Sequence, residues 1–136
     1  MHLRISLTLV MLIASCFSSL AQSKAKAKVA GAKFKFEETT HDFGNLKEGD
    51  PAKYEFVFTN TGTEPLIIQD CKASCGCTTP SWPKEPIMPG AAGRITVVFD
   101  TKNKNGTFLK SIWITSNAVG DRPVQEIYIK GNVTAK

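Results

Sequence analysis

With 136 residues, the chain has room for one domain of the usual size, about 100 to 150 residues, and not for two. Its content of 42% hydrophobic and 21% charged residues is that of a globular protein and excludes wholesale disorder and collagen-like repeats. The formal charge of +5 does not point to nucleic acid. Arg4, Lys24, Lys26, Lys28, Lys33 and Lys35 lie in a stretch without an acid, and from Phe36 onward 11 bases face 12 acids.

Residues 1–21 have the order of a secretory signal peptide: Arg4 early, an uncharged run over 5–15, then small residues around Ser19-Leu20-Ala21. A transmembrane anchor needs about 20 apolar residues, and the run broken by Ser6 and Thr8 falls short of that, so no transmembrane span is expected in the mature chain. Two processing routes fit. One is cleavage after Ala21. The other uses Ile13-Ala14-Ser15-Cys16, which resembles a bacterial lipobox and would leave Cys16 as an acylated N-terminus. Phe17 and Leu20 carry the apolar stretch past Cys16 and favour the first route. The expected location is the periplasm or cell envelope, with a lipid-anchored outer-membrane protein or a secreted protein as alternatives. Membrane association is expected only if Cys16 is lipidated.

Residues 22–33 (QSKAKAKVAGAK) lack apolar periodicity and read as a flexible basic linker. Attraction to anionic lipid is the other reading, weakened by the dilution of its lysines with alanines. The folded domain is expected over 34–136.

From Phe34 the pattern changes to short runs of period two. Phe34 and Phe36 alternate with lysines, Phe43 and Leu46 flank Gly44, and Tyr54, Phe56 and Phe58 alternate with Lys53, Glu55, Val57 and Thr59. These predict half-buried strands. A turn at Asn60-Thr61-Gly62-Thr63 precedes a strand at Leu66-Ile67-Ile68, and Pro89-Gly90 turns into Ile95, Val97 and Phe99. A turn at 103–106 leads to a strand over 108–115, with Ile112 and Ile114 on the face opposite Trp113. After a loop over 116–123, Ile127, Ile129 and Val133 mark the last strand, where Gly131 predicts a bulge. No window has a helical apolar face. About seven strands with turns every 8 to 12 residues predict an all-β, immunoglobulin-like antiparallel β-sandwich. Pro80, Pro83, Pro86 and Pro89 recur at the period of a polyproline II helix, which reads as a stiff crossover between the two sheets or as a docking segment.

Cys71, Cys75 and Cys77 form C-x3-C-x-C, flanked by Ser74 and Thr78, on a loop leaving an apolar strand. Exported thiols meet an oxidising compartment, so a disulfide is the default and one sulfur is left over. Gly76 permits a turn tight enough to join Cys75 to Cys77. So small a ring constrains little of the unfolded chain. Three readings stand: a local pin with the third cysteine buried, a labile disulfide that exchanges with other thiols, or a soft-metal site for copper or zinc. The metal reading would draw on Cys71, Cys75, Cys77, His41 and Met88. Without four ligands placed by the sequence, no cofactor is the first expectation.

No residue set points to an enzyme. After signal removal His41 is the only histidine, read as a surface or turn residue, and Asp70 is a lone carboxylate at a strand end. There is no Gly-rich phosphate loop and no interleaving of aromatic and basic residues for nucleic acid.

His41-Asp42-Phe43-Gly44, Asn60-Thr61-Gly62, Ser74-Cys75-Gly76-Cys77-Thr78, Pro89-Gly90 and Ser116-Asn117-Ala118 together resemble the bacterial secreted family named domain of unknown function 1573, over about residues 36–134. The resemblance implies an immunoglobulin-like domain akin to those of the major sperm protein, pilus chaperone and Hydin type, in the bacterial envelope. It carries no settled activity. Cys71 is outside the family pattern, which makes Cys75 with Cys77, supported by Ser74, Gly76 and Thr78, the implied functional unit. The expected role is a non-catalytic binding or scaffolding module with an unidentified protein or envelope partner, contacted through sheet edges and end loops. The alternative is a small thiol redox or soft-metal handling protein.

Overall fold

Period-two alternation puts every second side chain on one face of a strand, so strands carrying Phe, Ile and Val at alternate positions bury one face against another sheet. The computed structural model, which describes residues 30–120 and 124–136, has eight strands: β1 Phe34–Phe36, β2 Thr40–Lys47, β3 Ala52–Asn60, β4 Ile68–Ala73, β5 Thr78–Ser81, β6 Ala92–Phe99, β7 Gly106–Ser116 and β8 Val124–Thr134. They form two four-stranded sheets, ordered β1-β3-β6-β5 and β2-β8-β7-β4. The core between them holds Phe56, Phe58, Ile95, Val97 and Phe99 from the first sheet and Ile112, Ile114, Ile127, Ile129 and Val133 from the second. The sandwich of immunoglobulin type is therefore present, with one more strand than the periodicity shows. The signal peptide, Cys16 and residues 22–29 of the linker lie outside the described residues.

Four local expectations change. The first is the domain start: Ala32 is buried and bridges Ala118, and Gly31 and Thr63 exchange hydrogen bonds, so 31–33 belong to the fold and not to the linker. The second is the proline-rich segment. Pro80 lies in β5, an edge strand paired with β6, where a residue without an N–H is tolerated. Since β5 and β6 share a sheet, the segment after Ser81 does not cross between sheets; residues 74–77 do. Third, β2 runs parallel to β8 while the other ladders are antiparallel.

The last change concerns the bulge. It lies in β2, where Phe43 and Gly44 are set against the single residue Gly131 between the pairs Asp42–Lys130 and Asn45–Asn132. Gly44 adopts φ +66° there, which glycine takes without steric cost. The extra residue explains why Phe43 and Leu46, both turned inward, are three apart. Gly131 itself is required by space: a Cβ would come within 3.0 Å of the Gly44 carbonyl and the Phe108 ring.

The sandwich has two distinct ends. At one, Asn60 is wholly buried. Its Oδ1 accepts from the amides of Lys33 and Gly62, and its Nδ2 donates to the carbonyls of Glu64 and Ile87. This side chain ties the segment ahead of β1 to the β3–β4 and β5–β6 connections. At the other end, Thr101 donates to the Asp50 carbonyl and the Asn103 amide to Glu48. The crossover of 74–77 is on this second side.

Candidate functional site

The crossover is anchored on both sheets. The Ser74 amide donates to the Ser111 carbonyl at 2.9 Å, and Ser74 Oγ accepts from the Ser111 amide at 3.2 Å, which continues the β4–β7 ladder by one residue. On the other side the Asp100 amide donates to the Cys77 carbonyl at 2.8 Å, just beyond the Thr78–Phe99 pair of β5 and β6. Between these anchors the chain must turn within three residues. The Thr78 amide closes that turn on the Cys75 carbonyl at 3.3 Å, with Gly76 at its exposed tip.

Cys75 and Cys77 are joined by a disulfide across this turn, with their Cα atoms 5.3 Å apart. Cys77 packs partly against the core, and both cysteines keep partial exposure. Thr78 is buried, and its hydroxyl lies 3.6 Å from Cys75 Sγ and 3.9 Å from Cys77 Sγ. The Ser-Cys-Gly-Cys-Thr unit read from the sequence is thus assembled in one place.

Cys71 is not part of it. It lies within β4, paired with Ile114, as a free thiol only 6% exposed, and not on a loop as its spacing suggests. Burial pushes its thiol up to about 12, with the charge of Asp70 adding to the effect and that of Lys84 opposing it. A thiol so held is neither a nucleophile nor a ready metal ligand at neutral pH. Asp70 is paired with exposed Lys72 at 3.7 Å.

The structure does not bring His41 or Met88 to the cysteines. His41 is on β2, the opposite edge of its sheet from β4. Its ring stacks on Tyr54 at 3.5 Å between centroids, and its Nδ1 pairs with Glu38 at 3.2 Å. It is a packed half-buried residue, not a turn residue. Met88 is 58% exposed in the β5–β6 connection. In this oxidised form the five candidates do not constitute a donor set for copper or zinc. Among the described residues no group of three or more His, Cys, Asp or Glu side chains is placed to hold a metal ion, and no helix is long and apolar enough to cross a membrane.

Two features of the outer face of the second sheet were not singled out as a candidate site from the sequence. Trp113 is 40% exposed on the outward face of β7, between Lys72 of β4 and Glu126 of β8, and on the same face Leu109 is 63% exposed. The outward phase of both was readable from Ile112 and Ile114. A shallow depression of about 510 Å³ lies on this face over Asp42, Asn45, Lys130 and Asn132; there Lys130 pairs with Asp42 and Asn132 with Asn45.

The model of the family described as protein of unknown function (DUF1573) matches residues 34–133. The chain belongs to that family. No curated protein matches it. A Porphyromonas gingivalis W83 protein of unknown function has a similar structure, with TM-score 0.66 and 19% identity over 79% of this chain and 50% of that one. This DUF1573 chain therefore spans half the length of that protein. The ASH/PapD-like domain of human CEP192 is similar at TM-score 0.62 and 8% identity, covering 78% of this chain and 88% of that one. The Escherichia coli chaperone DraB is similar at TM-score 0.51 and 12% identity, over 75% and 54%. At these identities the likeness is one of fold.

Proposed function

We propose that this DUF1573 protein is a non-catalytic binding or scaffolding module exported to the bacterial envelope, periplasmic or, if Cys16 is acylated, lipid-anchored. The observation that carries the binding role is Trp113, an indole left 40% exposed in the middle of a sheet face, with Leu109 beyond it. Tryptophan is the residue type most enriched among those that dominate binding energy at interfaces, and its place beside the edge strand β4 lets a partner use both face and edge. The likeness to DraB, a chaperone, supports the reading by analogy of architecture, and the leader pattern over residues 1–21 supports export. A photocrosslinking side chain at position 113 in the exported protein should trap one partner, whereas the same group at Val57, outward on the other sheet, should not. Equal or absent capture at the two positions overturns the assignment of this face. A secreted chain that retains residues 1–15 overturns the leader reading.

A second reading is favoured by the Cys75–Cys77 disulfide. A two-residue separation gains little unfolded-state restriction, and partly exposed disulfides are the ones open to exchange. This reading makes the chain a thiol-disulfide exchange protein.

A further inference from the structure

We infer that the crossover is a directional thiol-oxidising site, in which Cys75 is the attacked sulfur and the Thr78 hydroxyl serves both leaving thiolates. Its substrate class is a dithiol. The inference rests on the thiol-exchange reading above and assigns the roles within it.

Exchange needs the attacking thiolate to approach along the S–S axis, from behind the sulfur it attacks. Cys77 packs partly against the core and its carbonyl is held by the Asp100 amide, which makes it the more hindered of the two as a point of attack. Cys75 is not among the residues packed on the core, and next to it Gly76 has no neighbour within 4 Å of where a side chain would stand. The tip of the turn is open, and of the two sulfurs flanking it Cys75 is the one without core packing. In the first step a substrate thiolate attacks Cys75 Sγ, a mixed disulfide forms there, and Cys77 leaves with the electron pair as a thiolate. In the second step the other thiolate of the substrate attacks the substrate sulfur of the mixed disulfide, the substrate disulfide forms, and Cys75 leaves as a thiolate. Both cysteines are then protonated. The substrate has lost two electrons and the chain has gained two.

The Thr78 hydroxyl is within reach of both leaving groups, 3.9 Å from Cys77 Sγ and 3.6 Å from Cys75 Sγ. Hydrogen bonds to an ionised partner are the strong ones, and a single rotating O–H can serve the two thiolates in turn. Cys71, buried in β4 and held protonated, stays outside the exchange.

The test uses the native oxidised protein and reduced glutathione as probe. After brief reaction, acid quench and alkylation, peptide mapping should find glutathione on Cys75 and alkylated Cys77. Thr78→Val should slow the exchange about tenfold, the loss expected from one charge-assisted hydrogen bond, and Thr78→Ser should restore the rate. Resistance of the native disulfide to glutathione would sink the exchange reading itself. Reduction with the adduct on Cys77 leaves that reading standing and overturns the direction assigned here. A Thr78→Val protein of native fold that exchanges as fast as Thr78→Ser overturns the role of the hydroxyl. If Thr78→Val does not fold, the adduct map on the unaltered protein still decides the direction and Thr78→Ser against wild type decides the hydroxyl, with an unequal rate overturning it.

Discussion

Gly93 of β6 is paired with Phe58 of β3, and the phenyl ring of Phe58 occupies the space that a side chain at position 93 would need. Phe58 is held from the other side by Phe34 and Phe36, at centroid distances of 5.0 and 5.6 Å, and cannot move away freely. Gly93→Ala is expected to cost about 1 to 3 kcal/mol, the range for overpacking a filled core. Gly76→Ala, which meets nothing within 4 Å, should change stability by less than about 0.5 kcal/mol. Urea denaturation of the two variants checks the contrast.

The register of β3 makes a sharper demand. Phe56 and Ile114 are fully buried on opposite sheets, so Phe56→Ala or Ile114→Ala should each cost about 2 to 5 kcal/mol. Lys53 and Glu55 face water, and the Glu55–Arg94 pair at 3.2 Å is exposed on both sides. Lys53→Ala and Glu55→Ala should stay under about 0.5 kcal/mol in the same denaturation series.

Asn60→Ala should be among the costliest polar substitutions in the molecule. It strips the partner from the amides of Lys33 and Gly62 and from the Glu64 carbonyl at once, while the Ile87 carbonyl keeps the Leu66 amide, and each buried group left unpaired costs about 1 to 3 kcal/mol. A loss of at least about 3 kcal/mol is expected, with hydrogen exchange rising first at the amides of Lys33 and Gly62.

Cys71 imposes a pH dependence whose sign follows from its burial. Its folded thiol is raised from 9.0 to about 12, so between those values the unfolded chain has lost a proton that the folded chain keeps. Its contribution to stability is complete below about pH 9 and declines as pH rises toward 12. Subtracting the profile of Cys71→Ala from that of the wild type, both followed by denaturant midpoint, should leave this decline. Iodoacetamide at pH 8 should modify Cys71 only after unfolding.

Replacing Cys75 and Cys77 together by serine should cost well under the 2 to 5 kcal/mol typical of removing a disulfide that closes a long loop. Thermal unfolding of the double variant against the oxidised wild type measures it.

The core strands were legible because Tyr54, Phe56 and Phe58, or Ile95, Val97 and Phe99, carry their period within one strand. Asn60 continues the same phase, two residues beyond Phe58, and a polar residue at an inward position was a readable sign of a buried hydrogen-bonding role. Its partners, 27 residues away on either side at Lys33 and Ile87, were not. The parallel β2–β8 pairing and the strand β5 were hidden for a related reason. Pairing direction is a property of two distant segments, and Thr78–Ser81 has too few residues and a proline too many to show alternation. The Cys75–Cys77 unit was readable from spacing and resemblance. The inward phase of Cys71 was not, since the register shift between Ile68 and Asp70 resets the alternation ahead of it.

The opposed ends of the sandwich have a mechanical consequence. The segment held by Asn60 enters at one end, and the disulfide-bearing turn stands toward the other, separated by much of the length of β3, whose nine residues span about 30 Å at roughly 3.3 Å each. A pull on the chain ahead of Gly31, resisted by a partner gripping the Cys75–Cys77 turn, would run along the strands. Ladder hydrogen bonds lie across that direction and would be loaded together, in shear, where a pull across the sheet would open them one after another. The domain is therefore stiffest along the line joining its Asn60 end to its cysteine turn.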